Sequence, residues 1–165
     1  GRNLLVWIDT YSPDKARSNF SIPVSEMIAN SRMNLMRIIH YPPLESDITD
    51  GAIRAGAHGD INLITVLPAS SQSGLQLLKE TGDWVDIKCD PGWLVINSGD
   101  MLNECSGGYY PSTIHRVINP KGDATRLPRY TIPVFIHPRD EVLLSEKYTA
   151  RSFLDERLKE IGLKS

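Results

Sequence analysis

The sequence has few cysteines, no block of like charge and no long apolar segment, and each shortage argues against a class of protein. Its two cysteines, Cys89 and Cys105, are too few for the disulfide framework of a small secreted domain, so we predict two free thiols in a cytoplasmic protein. The formal net charge is −2, and the absence of a basic run gives no support for a nucleic-acid or membrane-surface partner. The longest apolar runs have the length of strands, so we expect no transmembrane helix.

The chain also lacks an initiator methionine, and its start does not show the residue order of a signal peptide. We therefore expect that it begins inside a longer protein, and that an apolar face of its sheet is left exposed. It contains no internal repeat, and its 165 residues are enough for one domain with a hydrophobic core.

From about Met33 onward the chain alternates between short apolar stretches and turn residues such as Pro42-Pro43, Gly82-Asp83 and Asn119-Pro120. Short, regularly interrupted strands are typical of an antiparallel sandwich or barrel. The predicted strands are Met33–Tyr41, Ile61–Leu67, Leu75–Leu78, Trp84–Lys88, Trp93–Ile96, Thr113–Ile118 and Arg129–Ile136.

Two helices are predicted beside these strands. A weak signal lies within Val24–Ser31, and a stronger one covers Ala150–Ile161, where apolar residues recur at helical spacing. Thr149 is placed as the N-cap and Gly162 follows the helix as a C-terminal cap.

The residues that indicate chemistry are His58-Gly59-Asp60 and the later His115. On a strand, residues two apart point to the same face, so His58 and Asp60 can be directed at one point if they lie on a strand. A neighbouring strand that carries His115 would add a third ligand. Two imidazoles and one carboxylate on one face of a metal leave open positions, as in non-haem Fe(II) oxygenases. A hydrogen-bonded His-Asp pair at a strand end is the alternative interpretation of the same triplet.

The segments around these residues resemble the isopenicillin N synthase-like oxygenases of the 2-oxoglutarate and Fe(II)-dependent dioxygenase superfamily. The similarity runs in order from about Met33 to Pro138. Its segments are Ala55–Thr65, Gly74–Leu77 with Trp84, Val95–Leu102, Pro111–Val117 and Arg129–Phe135.

The resemblance implies a mostly β fold, a double-stranded β-helix (jelly roll) with a C-terminal α-helix, and an iron site formed by His58, Asp60 and His115. It also implies that Arg129 and Thr131, in place of the family's Arg-x-Ser pair, bind the distal carboxylate of 2-oxoglutarate. Arginine suits this role because its rigid fork can bind a carboxylate with two N–H groups. Tyr41 matches a family tyrosine that binds a carboxylate, although Ile39 stands where many plant members have asparagine. Asn62 is a weaker candidate for the pocket lining.

By this resemblance we predict a non-haem Fe(II) dioxygenase that couples O2 activation and 2-oxoglutarate decarboxylation to oxidation of a small-molecule substrate. Its predicted regions are an N-terminal remnant over residues 1–32, the jelly-roll domain over residues 33–138 and a helical extension over residues 139–165. One alternative is an oxidase of the same fold that uses no 2-oxoglutarate, and another is a metal-free binding module. The sequence makes no prediction of the oligomeric state.

Overall fold

The computed structural model describes residues 1–44, 52–88 and 90–163. The helices are α1 (Arg2–Tyr11), α2 (Asp14–Arg17), α3 (Val24–Met27), α4 (Asp100–Cys105) and α5 (Ala150–Glu160), with a 3-10 helix at Gly122–Arg126. The strands are β1 (Leu35–Met36), β2 (Ile39–Tyr41), β3 (Ala55–His58), β4 (Ile64–Pro68), β5 (Leu75–Leu78), β6 (Trp84–Asp86), β7 (Leu94–Ser98), β8 (His115–Val117), β9 (Arg129–Thr131) and β10 (Val134–Ile136).

Within the described residues, the strands form two four-stranded sheets and one two-stranded sheet, and each of their pairings is antiparallel. One large sheet has the order β1-β10-β4-β7, the other has the order β3-β8-β5-β6, and β2 pairs with β9. A cavity lies between them, lined by side chains from both large sheets and from the β2–β9 pair. The predicted mostly β jelly roll with a C-terminal helix is confirmed.

Two segments that we predicted as single strands are each divided in two. Met33–Tyr41 contains β1 and β2, and Arg129–Ile136 contains β9 and β10. The two breaks lie at corresponding positions of the paired segments, because β1 pairs with β10 whereas β2 pairs with β9. Pro133 lies at one break, where a residue without an N–H group cannot continue the ladder. The two chain segments therefore pass together from one sheet to the next.

The segment before Met33 contains a helix that the sequence pattern did not reveal. In α1 the apolar residues Leu4, Leu5 and Ile8 face a hydrophobic core, and Leu5 is fully buried. Trp7 and Tyr11 of the same helix are exposed, so apolar residues lie on both faces and hide the helical period. The core that α1 joins also includes Val24, Met27, Leu63, Ile64, Met101, Leu102, Leu144 and Phe153.

The C-terminal helix follows its prediction closely. Thr149 is its N-cap, with a side chain that accepts a hydrogen bond from the Ser152 amide, and Ser152 reciprocates to form a capping box. Gly162 has a φ of 73°, a left-handed conformation that glycine adopts without strain. Phe153 and Ala150 are buried in the hydrophobic core, so α5 packs beside the other helices.

The outer face of the β4 sheet is covered at one end and bare at the other. Ile64 is buried in the helical core. By strand alternation Leu94 and Ile96 lie on this same outer face, because Val95 and Asn97 line the cavity. Leu94, Ile96 and Met36 are exposed by 58%, 39% and 61%. The expected exposed apolar face is confirmed.

The cysteine prediction can be checked at one of its two positions. Cys105 is a free and fully buried thiol, and burial raises its pKa to about 12, so it is protonated and unreactive at neutral pH. Cys89 lies outside the described residues. No helix within the described ranges is long and apolar enough to cross a membrane.

Candidate metal centre and carboxylate site

The three predicted metal ligands come together at the end of two paired strands. His58 is the last residue of β3, and it lies directly opposite His115, the first residue of β8. Asp60 lies two residues past the end of β3, in the turn before β4, so the predicted placement of His58 and Asp60 on one strand is wrong. The turn, rather than strand alternation, directs Asp60 toward the histidines. Potential ligand atoms of all three residues lie within 4.8 Å of one another.

Each histidine is oriented by its own strand. Nδ1 of His58 lies 2.8 Å from the carbonyl of Gly56, and Nδ1 of His115 lies 3.0 Å from the carbonyl of Thr113. A carbonyl only accepts hydrogen bonds, so each Nδ1 is the donor, and in the neutral imidazole this tautomer leaves the Nε2 lone pair free. Nε2 of His115 lies 4.0 Å from Oδ1 of Asp60. The free nitrogen atoms are therefore available to a metal.

Asp60 is buried, and one of its two carboxylate oxygens is already bound. Oδ2 accepts hydrogen bonds from the Thr65 hydroxyl at 2.5 Å and from the Asn97 amide at 2.7 Å. Asn62 in turn donates to the Thr65 hydroxyl at 2.8 Å, and its side chain is not part of the cavity lining, so it supports Asp60 through Thr65. Oδ1 remains the oxygen directed toward His115. Such hydrogen bonds fix the orientation of a metal-binding carboxylate.

The turn that carries Asp60 is docked on the start of α4. The amide of Asp100 donates to the Asp60 carbonyl at 2.8 Å, and the amide of Met101 donates to the Asn62 carbonyl at 3.1 Å. These are first-turn N–H groups without partners inside the helix. A Cβ at Gly99 would collide with Asn62 and Asp60, so only glycine allows this close approach.

Gly59, between two of the predicted ligands, is similarly confined. A Cβ built there would lie 2.8 Å from Oγ of Ser112 and 3.1 Å from a carboxylate oxygen of Asp100. A side chain at this position would therefore crowd Ser112 and Asp100.

The donor set fits Fe(II). Two neutral imidazole nitrogens and one carboxylate oxygen match the two-histidine, one-carboxylate arrangement of non-haem iron sites, which leaves positions open for other ligands. His58 is exposed and His115 is half-buried, so the centre faces the cavity mouth.

A second group of predicted site residues lies further along the same cavity. Arg129 and Thr131 of β9 lie opposite Tyr41 and Ile39 of β2, and all four side chains line the cavity that also contains the three predicted metal ligands. The Arg129 guanidinium lies over the Tyr41 ring, 5.4 Å from its centroid. The structure thus brings the predicted metal ligands and the predicted carboxylate-binding residues to one cavity.

Arg129 is a buried cation that retains one unpartnered donor. It is 1% exposed, and its neutral partners are the Gln72 carbonyl on Nε at 3.2 Å and the Ser70 hydroxyl on Nη2 at 2.9 Å. Nη1 is buried and has no hydrogen-bond partner among the described residues. Burial lowers the pKa of Arg129, and nearby Arg54 acts in the same direction. A carboxylate in the cavity would satisfy both the charge and the free N–H.

Four further polar residues shape this site, and sequence reasoning missed three of them. Thr65 and Asn97 hold Asp60, and Ser70 holds Arg129. Asn62 was predicted near the site but in a different role. One available signal was alternation, since Thr65 and Asn97 are polar residues at inward positions of mostly apolar strands.

Comparison with known proteins places the chain in a family. A family model described as the 2OG-Fe(II) oxygenase superfamily matches residues 32–138. A 2-oxoglutarate-Fe(II) type oxidoreductase of Aspergillus fumigatus is 38% identical over 101 residues, covering 61% of this chain and 29% of that protein.

Solved structures of related proteins support the same family assignment. A crystal structure of a protein described as an oxygenase from Shewanella oneidensis has 56% identity and a TM-score of 0.89, covering 98% of this chain and 60% of that one. A full-length Neurospora crassa protein in complex with alpha-ketoglutarate (2-oxoglutarate) has 30% identity and a TM-score of 0.69, covering 78% of this chain and 44% of that one. The chain thus spans less than two-thirds of the length of each relative. The family match covers more than half of the 165 residues, and the chain therefore belongs to the 2OG-Fe(II) oxygenase superfamily, which uses Fe(II), 2-oxoglutarate and O2.

Proposed function

We propose that His58, Asp60 and His115 bind Fe(II), and that the protein containing this chain couples oxidation of a small molecule to conversion of 2-oxoglutarate and O2 into succinate and CO2. The observation that carries this proposal is the pairing of two complementary features in one cavity. Free ligand atoms of the three metal-binding residues lie at one end, and the unpartnered N–H of buried Arg129 lies at the other.

Each residue has a defined task in this proposal. His58 and His115 offer Nε2, and Asp60 offers Oδ1 while its other oxygen accepts the two hydrogen bonds described above. Arg129 binds the distal carboxylate of 2-oxoglutarate through Nη1, and the hydroxyl of Thr131 donates a second hydrogen bond. The Tyr41 ring supports this end by packing against the guanidinium. When bound, Fe(II) and 2-oxoglutarate supply the oxidising power, and the chain supplies orientation and shielding from water.

The direct test is an anaerobic titration with Fe(II) and then 2-oxoglutarate, followed by admission of O2 and measurement of succinate. We expect tight binding of metal, metal-dependent binding of 2-oxoglutarate and formation of succinate. A protein that binds no divalent metal contradicts the proposal. A protein that consumes O2 with another carboxylate and ignores 2-oxoglutarate supports the oxidase alternative, with Arg129 holding the substrate's own carboxylate.

The substrate and location are also proposals. The cavity between the sheets is compatible in size with a small-molecule substrate. The free, buried thiol of Cys105 is consistent with the cytoplasmic location that we predict.

A further inference from the structure

The loop between β4 and β5, residues 69–74, is attached to the strand that carries the carboxylate site. The Ser71 amide donates to the Tyr130 carbonyl at 3.1 Å, and the Tyr130 amide donates to Oγ of Ser71 at 2.8 Å. The loop therefore extends along β9 as an added partner. Its position relative to Arg129 and Thr131, on either side of Tyr130, is fixed by these two bonds.

Ser70 connects the two predicted carboxylate-binding residues. Its hydroxyl accepts a hydrogen bond from Nη2 of Arg129 at 2.9 Å and donates one to Oγ1 of Thr131 at 3.0 Å. Arg129 and Thr131 are both buried, whereas Ser70 is half-buried. The three polar groups form a continuous chain from guanidinium to serine to threonine.

The directions of the hydrogen bonds between Arg129, Ser70 and Thr131 determine which N–H and O–H groups remain free to bind a ligand. A hydroxyl has one proton to donate and can accept two hydrogen bonds. The Ser70 oxygen accepts from Nη2 of Arg129, and the Ser70 hydroxyl donates its one proton to Oγ1 of Thr131. The oxygen of Thr131 is thereby an acceptor, so its own proton is available to another group in the cavity. Nη1 of Arg129 is also free of partners among the described residues. The site thus presents two donors, which suits a carboxylate, since a carboxylate only accepts.

We propose that Ser70 is a positioning residue that makes this end of the cavity selective for a carboxylate. It holds the guanidinium so that Nη1 faces the ligand, and it sets the threonine hydroxyl to donate. Without the serine hydroxyl, Nη2 of Arg129 loses a hydrogen-bond partner, and the hydroxyl proton of Thr131 is no longer directed toward a ligand in the cavity. The inference rests on the proposed binding of 2-oxoglutarate and assigns a determinant of that binding to the β4–β5 loop.

The experiment compares two ligands across matched variants, by calorimetry on Mn(II)-loaded protein without O2. One ligand is 2-oxoglutarate, and the other is 2-oxobutanoate, which keeps the 2-oxo acid group and lacks the distal carboxylate. Ser70→Ala should weaken 2-oxoglutarate about tenfold, because buried donors lose their partner. Binding of 2-oxobutanoate and of Mn(II), and the melting temperature, should stay near wild-type values. Ser73→Ala, in an exposed serine of the same loop, should behave as wild type.

A second pair of variants separates the hydroxyl from the shape of the side chain. Ser70→Thr keeps the hydroxyl and should retain most of the affinity for 2-oxoglutarate, whereas Ser70→Val, which has nearly the shape of threonine, should lose it. This pair decides the question if Ser70→Ala folds poorly. Equal affinity in the threonine and valine variants overturns the role of Ser70 and leaves the proposed function intact.

Two further outcomes also go against the inference. If loss of the hydroxyl weakens 2-oxobutanoate and Mn(II) as much as 2-oxoglutarate, Ser70 is structural and not selective. If wild-type protein binds Mn(II) but not 2-oxoglutarate, the proposed function fails, and the assignment to Ser70 fails with it.

Discussion

Each end of the cavity buries one charged side chain, and the two charges have opposite signs. At the metal end the buried Asp60 carboxylate has one oxygen bound by Thr65 and Asn97. At the other end the buried Arg129 guanidinium is bound by neutral groups of the β4–β5 loop. Each charge is partly satisfied and keeps one atom for a ligand. The difference in sign prepares the cavity for a cation at one end and an anion at the other.

This comparison shows how a buried charge can be kept ready for binding. A fully neutralised ion pair between Asp60 and Arg129 would leave nothing for a ligand, and an isolated charge would be costly to bury. Neutral hydrogen-bond partners lower the free energy of burial without cancelling the charge. We expect the two ends to respond separately to mutation, since they share no hydrogen-bond partner among the described residues.

The largest expected effect is loss of the metal end. Replacing His58, Asp60 or His115 with alanine should lower Fe(II) affinity by more than about a hundredfold, because even changes to residues that only support ligands cost about 10–100-fold. Anaerobic metal titration measures this. His40→Ala is the control, since His40 is exposed and stacks on Tyr130. Unchanged affinity in the His115 variant would show that the three residues are not the metal site.

The next effect concerns the cationic end. Arg129→Gln removes the charge and the fork, so affinity for 2-oxoglutarate should fall about a hundredfold, while Fe(II) affinity stays near that of the wild type. Titration of 2-oxoglutarate into the iron-loaded protein without O2 measures the change. Arg126→Gln, in an exposed arginine of the preceding 3-10 helix, should have little effect. Equal affinity in the Arg129 variant would contradict its role as anchor.

A smaller effect is expected from the partners of Asp60. Asn97→Ala removes one of two hydrogen bonds to Oδ2, so the carboxylate can rotate and Fe(II) affinity should fall about tenfold. Binding of 2-oxoglutarate to the fully metal-loaded variant should change less. Asn119→Ala removes a comparable amide that bonds to the Ala52 carbonyl instead. A drop of equal size in that control would indicate a general loss of stability.

The smallest effect concerns pH and a histidine outside both ends. Burial lowers the pKa of His137, although the Phe135 carbonyl and the Asp60 charge oppose this. In acid the unfolded chain therefore takes up a proton before the folded protein does, so stability is lost as pH falls from about 6.5. For one proton the slope is at most about 1.4 kcal/mol per pH unit.

The matched variant for this prediction is His137→Gln, which cannot take up that proton. Denaturant unfolding of metal-free protein at pH 7 and pH 5 should show a smaller decrease in stability for the variant than for the wild type. The same decrease in both proteins would assign the acid sensitivity to other groups.

The sequence predicted the sheet and the grouping of His58, Asp60 and His115 better than it predicted the residues that support them. His58 and Asp60 are neighbours in the chain, so a short motif reveals them. Ser70 bonds to residues about sixty positions away, and a serine in a turn cluster carries no sign of such partners. Thr65 and Asn97 are separated from Asp60 by 5 and 37 positions, and only the fold shows that all three meet.

The helices also differ in how well the sequence predicted them. The capping residues of α5 are local signals, so its start and end followed from the sequence. In α1 the exposed Trp7 and Tyr11 hide the period, and α4 has only six residues, too few for a period to be recognised. The strand break at Pro133 could have been predicted from proline, but the matching break between β1 and β2 depends on their pairing with β10 and β9.

The half-bare face of the β4 sheet has a consequence for the behaviour of this chain in solution. Met36 of β1 and Leu94 and Ile96 of β7 expose apolar surface on the two edge strands of this sheet, and such surface promotes association. We therefore expect the chain to scatter light increasingly as its concentration rises and to bind a hydrophobic dye while folded. Added salt should strengthen the effect, because screening weakens the repulsion between like-charged molecules but leaves apolar contacts intact.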